Sequence, residues 1–268
     1  SVHGRMPSIT TGAALANRDL VYIGVSGDGD TASIGLGQFC HAVRRRLNMT
    51  YIVMNNGCYG LTKGQFSATN DKGAASKKGE LNPFEAIDLC QMAIQLGAGF
   101  VARSFSGDKT QLIPLIKAAI GYNGFALIDV VSPCVTFNNH AGSTKSYEYV
   151  RAHNMASENQ LDYVEPRDEI TVDFAEGTSA EIELHDGSRL ILSKVDAEHD
   201  PRDADAALMT IRANAANGAI TTGLLYIDEA QRDMHDILAT DARPLNALPM
   251  SELCPGSAAL EAINARLR

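Results

Sequence analysis

The sequence predicts an α/β protein with a parallel sheet, followed by a carboxy-terminal extension made of a hairpin and helices. Strand-like and helix-like patterns alternate strictly from residue 20 to residue 131, which is typical of βαβ units. Polar residues beside glycine follow two successive strands, at 27–30 and 55–57. After this region the pattern changes to short polar–apolar alternation. We therefore expect one domain over residues 1–165 and an extension over residues 166–268.

The individual elements follow from apolar runs and from the residues that flank them. Asn82 is predicted to cap a helix whose first residue is Pro83, because proline suits the first helical position. The loop after Asn55 is about 25 residues long, and loops of that length are usually functional. The predicted strands are Leu20–Val25, Tyr51–Met54, Phe100–Ser104 and Phe125–Val131, and the predicted helices are Ile34–Leu47, Pro83–Leu96 and Asp108–Ile120.

The extension is predicted to contain an antiparallel hairpin. The dipeptide Asp186–Gly187 favours a two-residue turn between the alternating runs 180–184 and 189–192. Residues 169–174 show the same alternation of polar and apolar side chains. Helices are predicted to follow at Ala204–Asn217 and Ile227–Leu238.

Composition and charge exclude several classes of protein. The chain has 268 residues, of which 45% are hydrophobic, and its net charge is −9. A negative chain is unsuited to binding nucleic acid, and we interpret Arg44–Arg46 as the solvated end of a helix. No apolar run reaches the roughly 18 residues that span a bilayer, and the first residues lack the pattern of a signal peptide. We expect a cytoplasmic protein with neither nucleic acid nor membrane as a partner.

The five cysteines are scattered along the chain, and no two show C-x-x-C spacing. Their spacing therefore indicates neither a disulfide framework nor a self-contained metal site. Cys40 and Cys90 lie within helical patterns, where we expect them to be buried as small apolar residues.

Asp28 and Asn56 are the residues that point most directly to chemistry. Asp28 lies between Gly27 and Gly29 after the first predicted strand, and Asn56 follows the second. Open α/β sheets bind ligands where their strands end, and Mg²⁺ prefers a few protein oxygens together with phosphate oxygens and water. The flanking glycines would let phosphates approach the backbone closely. The alternative is that Asp28 only caps the helix that follows.

Four segments together resemble the β subunits of the 2-oxoacid:ferredoxin oxidoreductases. G-D-G followed about 25 residues later by N-N is similar to the thiamine diphosphate and Mg²⁺ motif of thiamine-dependent enzymes. The segments occur in the expected order, and the resemblance extends from residue 1 to about residue 165. They are His3–Arg5, Gly27–Asp30, Asn55–Gln65 and Ser132–Thr136.

The resemblance implies roles for residues in these segments. The Asp28 and Asn56 side chains and the backbone carbonyl of Cys58 would bind Mg²⁺. Lys63 would lie beside the thiamine and attract the carboxylate of a 2-oxoacid, with a solvated loop lysine as the alternative. The remaining expected cofactor contacts are His3, Gly4, Arg5, Gly27, Gly29, Asp30, Gly60 and Leu61. For the first three of these, the alternative is a frayed terminal arm.

Cys134 resembles one cysteine ligand of the family's [4Fe–4S] cluster. The other three ligands belong to a C-x-x-C motif and a further cysteine, all of which precede the H-G-R segment in the family. The resemblance implies that about 60 residues carrying them lie upstream of the present sequence. Because such a cluster normally takes four thiolates, Cys134 alone is not enough to hold it.

The implied reaction is the oxidative decarboxylation of a 2-oxoacid with coenzyme A, with electrons passing through the cluster to ferredoxin. The resemblance also implies an α subunit that completes the thiamine site, in an (αβ)₂ assembly. The extension resembles subunits that use 2-oxoglutarate, while pyruvate or a branched-chain 2-oxoacid remains an alternative. Two others are a non-oxidative thiamine enzyme and a non-catalytic αβ binding module. A nicotinamide-binding Rossmann domain is disfavoured, because G-D-G lacks the third glycine of G-x-G-x-x-G.

Overall fold

The computed structural model describes residues 2–60, 62, 64–74, 79–132, 169–184, 189–254 and 256–267. Within these residues, seven strands form one sheet and two short strands form a separate hairpin. The sheet consists of β1 (Ile23–Gly27), β2 (Met49–Asn55), β5 (Phe100–Phe105), β6 (Phe125–Val131), β7 (Ser179–Glu183), β8 (Arg189–Lys194) and β9 (Ala219–Ile227). The separate hairpin consists of β3 (Cys58–Tyr59) and β4 (Gln65–Phe66).

The strands of the sheet lie in the order β1-β2-β6-β5-β9-β8-β7. The first four in this order are mutually parallel, as the alternation of strands and helices predicts. β9 runs antiparallel to β5, β8 runs parallel to β9, and β7 pairs antiparallel with β8. The predicted mostly parallel α/β fold is therefore confirmed, and the strands of the extension continue the same sheet.

Helices cover both faces of the sheet. The helical segments of the described residues are α1 (Met6–Ala16), a π-helix (Gly29–Ile34), α2 (Leu36–Arg44), α3 (Leu89–Gln95), α4 (Lys109–Gly121), α5 (Ala204–Ala216), α6 (Met234–Leu238), a 3₁₀ turn (Leu245–Ala247), α7 (Met250–Leu253) and α8 (Gly256–Arg266), of which the last three bury no residue. In the described part of the chain, no helix has the length and apolar character needed to cross a membrane.

The main core lies between one face of the sheet and the helices α1, α2, α3 and α5. Phe39, Tyr51 and Phe125 meet there with ring centroids 5.6–6.0 Å apart, a separation at which aromatic rings attract one another. α4 covers the opposite face over β5 and β6. Both of these strands are buried along almost their whole length, as parallel strands covered on two faces should be.

The helix predicted to begin at Pro83 begins instead at Leu89, so that prediction is wrong. Asp88 is its N-cap, and the Asp88 side chain accepts a hydrogen bond of 2.9 Å from the Gln91 N–H. The Asn82 side chain is buried and donates across the loop to the carbonyl oxygen of Asn70 at 2.9 Å. Asn82 therefore ties the end of the long loop to its middle.

Other boundaries differ from the predictions as well. Ile227–Leu238 is not one helix, because Ile227 ends β9 and only Met234–Leu238 is helical. The predicted helix Ile34–Leu47 is interrupted, since a π-helix ends at Ile34 and α2 begins at Leu36. Residues 169–174 lie outside the strands, and α1 was not predicted. The antiparallel pairing of β7 with β8 and the helix α5 are confirmed, whereas the turn predicted at Asp186–Gly187 lies outside the described residues.

Candidate metal and diphosphate site

Asp28 and Asn56 meet because β1 and β2 are adjacent and parallel. Gly27 at the end of β1 pairs in register with Met54 near the end of β2, so the residues that follow both strands lie at one edge of the sheet. The backbone N–H of Asn56 donates to Oδ1 of Asp28 at 3.3 Å. Asp28 itself is 1% exposed. The structure thus brings together the two predicted metal ligands at the edge where such sheets bind ligands.

The Asp28 carboxylate is buried without a cationic partner in the described residues. Its Oδ2 accepts hydrogen bonds from the hydroxyls of Ser67 and Thr69, the latter at 2.6 Å. In those ranges no lysine, arginine or histidine forms an ion pair with it. Its side chain makes no capping hydrogen bond to the π-helix that follows, so the capping alternative is wrong. A buried negative charge in this setting favours a bound cation.

Asn56 begins a tight turn that presents oxygen atoms beside Asp28. Its Oδ1 accepts a hydrogen bond of 3.1 Å from the Cys58 N–H, and Gly57 between them has a φ of +72°. A side chain at Gly57 would be strained at that φ. In the described ranges, no three histidine, cysteine, aspartate or glutamate side chains gather into a metal site. A cation at Asp28 would therefore need amide, carbonyl and ligand oxygens, the donors that suit Mg²⁺.

The two glycines beside Asp28 differ in what surrounds them. A Cβ atom on Gly29 would lie 2.5 Å from the ring of Tyr59, whose hydroxyl donates to the Gly29 carbonyl at 3.0 Å. No protein atom lies within 4 Å of the corresponding position at Gly27. Glycine at 29 is therefore required by Tyr59, whereas the open space at Gly27 is available to a ligand. Sequence reasoning assigned no role to Tyr59.

The segment His3–Arg5 is packed against the site and is not frayed. Gly4 is buried with a φ of +72°, and a Cβ atom there would lie 2.8 Å from the backbone nitrogen of Gly35. His3 Nδ1 lies 2.6 Å from Oδ1 of Asp30, at the start of the π-helix. Arg5 is exposed and directly precedes α1. His3 thus lies beside Asp30, another predicted diphosphate contact, and Gly4 packs against the residues at the end of the π-helix.

Of the remaining predicted site residues, only Gly60 belongs to the described part of the chain. Gly60 follows β3 in the turn, where the N–H of Gly64 donates to the Tyr59 carbonyl at 2.9 Å. Leu61, Lys63 and Cys134 lie outside the described residues. Their predicted roles stay predictions.

A buried charge network extends from the site into the sheet. Arg103 on β5 pairs with Asp129 on β6 and with Asp88, each at 2.8 Å. Asn55 donates to Oδ1 of Asp129 at 3.0 Å, and its own amide oxygen lies 3.1 Å from the Thr69 hydroxyl. Close polar contacts through Thr69 and Asn55 therefore link Asp28 to this ion pair. In the sequence, the only sign of this network is a single charged residue in each of two mostly apolar strands, Arg103 in β5 and Asp129 in β6.

Burial acts to raise the pKa of the Asp88 carboxyl, but the Arg103 guanidinium outweighs it and holds that pKa below its usual range. Burial also raises the pKa of the Cys90 thiol, which lies 3.9 Å from Oδ2 of Asp129. Cys90 therefore remains protonated and acts as a small buried residue, as expected. Asp88 and Arg103 therefore both stay charged at neutral pH.

Two cavities lie near the extension. One of about 480 Å³ is bordered by Asn55, Thr69 and the charges of the network, and lies directly behind the site. The other, of about 610 Å³, is lined by α4 and the extension and contains none of the predicted site residues. Neither cavity is lined by Asp28 or Asn56, so neither marks the position of the candidate metal site.

Comparison with known proteins agrees with this geometry. Residues 1–130 match the family model described as the thiamine pyrophosphate enzyme, C-terminal TPP binding domain. The 2-oxoglutarate oxidoreductase subunit KorB of Mycobacterium tuberculosis is 42% identical over 143 residues, covering 52% of this chain and 38% of that protein. A 2-oxoacid:ferredoxin oxidoreductase subunit beta of Sulfolobus sp. is 45% identical over 140 residues, covering 52% of this chain and 46% of that protein.

A solved structure is similar over nearly the whole chain. It is the 2-oxoglutarate:ferredoxin oxidoreductase from Magnetococcus marinus with 2-oxoglutarate, coenzyme A and succinyl-CoA bound, with a TM-score of 0.64 and 26% identity. The match covers 94% of this chain and 72% of that chain. The chain spans about half the length or less of the curated relatives it matches. The predicted resemblance is confirmed: residues 1–130 match a thiamine pyrophosphate-binding domain, and the chain is similar to the β subunits of 2-oxoacid:ferredoxin oxidoreductases.

Proposed function

We propose that this chain is the part of a 2-oxoacid:ferredoxin oxidoreductase β subunit that binds the diphosphate of thiamine diphosphate through Mg²⁺. The observation that carries the proposal is the buried Asp28 carboxylate, which has no cationic partner in the described residues and lies beside Asn56. Buried charges are normally paired or coordinate a metal. The sequence relationship with 2-oxoacid:ferredoxin oxidoreductases supports the same conclusion.

The residues at the site fit both Mg²⁺ and the diphosphate of thiamine diphosphate. Asp28, the amide oxygen of Asn56 and the carbonyl of Cys58 would hold Mg²⁺, and the backbone N–H groups of Gly29 and Asp30 would face the diphosphate. The open space at Gly27 leaves room for phosphate oxygens. Thiamine diphosphate would supply the carbanion chemistry, and the protein would orient it and exclude water. His3–Arg5, Gly60 and Leu61 would border the cofactor.

The proposed reaction is the oxidative decarboxylation of a 2-oxoacid in the presence of coenzyme A. An α subunit would complete the thiamine site, and an (αβ)₂ assembly is the expected form. Electrons would pass to ferredoxin through a [4Fe–4S] cluster to which Cys134 contributes one thiolate. Location in the cytoplasm stays a prediction.

We propose 2-oxoglutarate as the substrate. The similarity to the Magnetococcus marinus 2-oxoglutarate enzyme covers the extension as well as the thiamine domain, which supports this choice over pyruvate. We expect the complex of the full-length protein and its α subunit to use 2-oxoglutarate at least about tenfold more efficiently than pyruvate, compared as kcat/KM. The assay would contain coenzyme A and an artificial electron acceptor, and omission of coenzyme A is the control.

Two results of this assay would contradict the proposal in different ways. A preference for pyruvate or a branched-chain 2-oxoacid would overturn the substrate but leave the reaction intact. Absence of turnover, together with no calorimetric binding of thiamine diphosphate and Mg²⁺ by the assembled complex, would overturn the enzyme function. Release of an aldehyde without electron transfer would favour a non-oxidative thiamine enzyme.

Lys63 is proposed to attract the substrate carboxylate. In the Lys63→Ala complex, we expect kcat/KM for the 2-oxoacid to fall by about 100-fold, because a preorganised cation would be lost at the reacting end of the substrate. The dissociation constant of thiamine diphosphate should change by less than about threefold, since the diphosphate is held elsewhere. Steady-state kinetics and calorimetry measure the two quantities separately. An equal loss in both would contradict the role.

A further inference from the structure

The two oxygens of the Asp28 carboxylate have different surroundings. Oδ2 is engaged by the hydroxyls of Ser67 and Thr69. Oδ1 receives one long hydrogen bond of 3.3 Å from the Asn56 N–H. Each carboxylate oxygen can accept about two hydrogen bonds, so Oδ1 keeps the capacity to bind a cation. Ser67 and Thr69 therefore determine which oxygen is available.

The hydroxyl groups of Ser67 and Thr69 have two protons between them but take part in four close oxygen–oxygen contacts. Oxygen pairs lie within hydrogen-bonding distance at Ser67–Asp28, Thr69–Asp28, Ser67–Thr69 and Thr69–Asn55, and two hydroxyl protons serve all four. The Asn55 amide nitrogen donates to Asp129, so its oxygen faces Thr69 and competes for that proton. The contact of Thr69 with Asp28, at 2.6 Å, is shorter than its contact with Asn55, at 3.1 Å. Because hydrogen bonds to a charged acceptor are the stronger ones, both protons go to Asp28.

The backbone holds these hydroxyls in place independently of Asp28. The N–H of Ser67 donates to the Gly57 carbonyl at 3.1 Å, and the N–H of Ala68 donates to the Ser33 hydroxyl at 3.1 Å. The carbonyl of Ala68 accepts from the Ile87 N–H at 2.7 Å. The segment is thus fixed between the Asn56 turn, the π-helix and the entry to α3. A donor fixed in this way can orient a carboxylate before a ligand arrives.

We infer that Ser67 and Thr69 are positioning residues for the metal carboxylate. They hold Oδ2 of Asp28 so that Oδ1 is presented to a single Mg²⁺ beside Asn56. This inference rests on the proposed function, since it presumes that Asp28 binds the metal. Neither residue would touch the cofactor, so the expected effect is on metal affinity and not on substrate recognition.

Thr69→Val tests the inference, because valine keeps the shape of threonine and removes only the hydroxyl. Mg²⁺ chloride would be titrated by calorimetry into the assembled enzyme with excess thiamine diphosphate. We expect the dissociation constant for Mg²⁺ to rise by about tenfold, as is typical when a partner of a metal ligand is removed. Thr69→Ser should restore it to near the wild-type value, and thiamine diphosphate affinity at saturating Mg²⁺ should change little.

Thr50→Val is the matched control. Thr50 is buried, whereas Thr69 is partly buried, and the Thr50 hydroxyl donates to the Ala119 carbonyl at 3.1 Å in a region that does not touch the site. It should lower thermal stability to a similar extent while leaving Mg²⁺ affinity unchanged. If Thr69→Val fails to fold by circular dichroism, Ser67→Ala removes the other hydroxyl and tests the same inference.

The outcomes separate this inference from the proposed function. Wild-type enzyme that binds neither Mg²⁺ nor thiamine diphosphate would overturn both. Wild-type binding with unchanged affinity in Thr69→Val and Ser67→Ala would overturn the positioning role alone. If Thr50→Val weakened Mg²⁺ binding to the same extent, a general loss of stability would explain the effect. That result would likewise overturn the positioning role.

Discussion

Replacing Asp28 with alanine should abolish Mg²⁺-dependent retention of thiamine diphosphate while leaving the protein folded. Loss of a metal ligand should cost at least as much as the roughly 10–100-fold typical of outer partners, so we expect cofactor affinity to fall by more than about 100-fold. The unliganded variant should be no less stable than unliganded wild type, because a buried charge without a cation is removed. Thiamine retained through gel filtration, with and without Mg²⁺, measures the effect.

Asp233→Ala is the matched control for Asp28→Ala. Asp233 is 3% exposed and accepts a hydrogen bond of 2.9 Å from the Asp236 N–H at the start of α6. Its replacement should lower stability by about 1 kcal/mol through the lost cap and should leave cofactor retention intact. If Asp28→Ala instead resembled this control, with lower stability and normal retention, Asp28 would not be a metal ligand.

Replacing Arg103 with methionine should be strongly destabilising. Arg103 is 6% exposed, and its removal would leave Asp129, which is fully buried, without its cationic partner. Removing one member of a buried ion pair costs about 3–5 kcal/mol, because the remaining charge stays out of water. The unfolding temperature of the purified protein, followed by circular dichroism, measures this loss. Arg243→Met, which breaks exposed ion pairs with Asp241 and Glu252, is the control and should unfold near the wild-type temperature.

In wild type, ionisation of Asp88 stabilises the folded protein. In the Arg103→Met variant, the same ionisation should destabilise it. In wild type the pKa of Asp88 lies below its ordinary value of 3.8, so its contribution is full above that value and is lost as the pH falls through the folded pKa. Without Arg103, burial would act unopposed and raise the pKa of Asp88. The deficit in stability relative to wild type should therefore be smaller at about pH 5 than at about pH 8. A deficit that does not depend on pH would contradict this account.

The sequence predicts the parallel part of the fold well because its signals are local. Apolar runs such as Phe125–Val131 each specify their own element. The start of α3 was misplaced because Asn82 and Pro83 imitate a helix start while Asn82 bonds across the loop. β9 was missed because its place depends on pairing with β5 and β8, which no local pattern reveals.

The residues of the candidate site likewise fall into those that the sequence predicted and those that it did not. Asp28 and Asn56 were found because strand ends in a parallel sheet converge, so sequence order alone places them together. Ser67 and Thr69 were not found, because they reach Asp28 from about 40 residues away through the folding of a loop. Tyr59 was missed for a related reason, since its contact with Gly29 depends on the turn at Gly57. Contacts that form only when a loop folds back onto the sheet cannot be predicted from the sequence and are seen only in the structure.

The place of β9 beside β5 has a consequence for synthesis on the ribosome. Between Phe105, the last residue of β5, and Ala219, the first of β9, 114 positions must be translated (219 − 105). At about 5–20 residues per second, this takes about 6–23 s, during which β5 can pair only on its β6 side. An apolar strand with an open edge invites pairing with another chain. The growing polypeptide therefore passes through an interval in which one edge of β5 is unpaired and open to association with other chains.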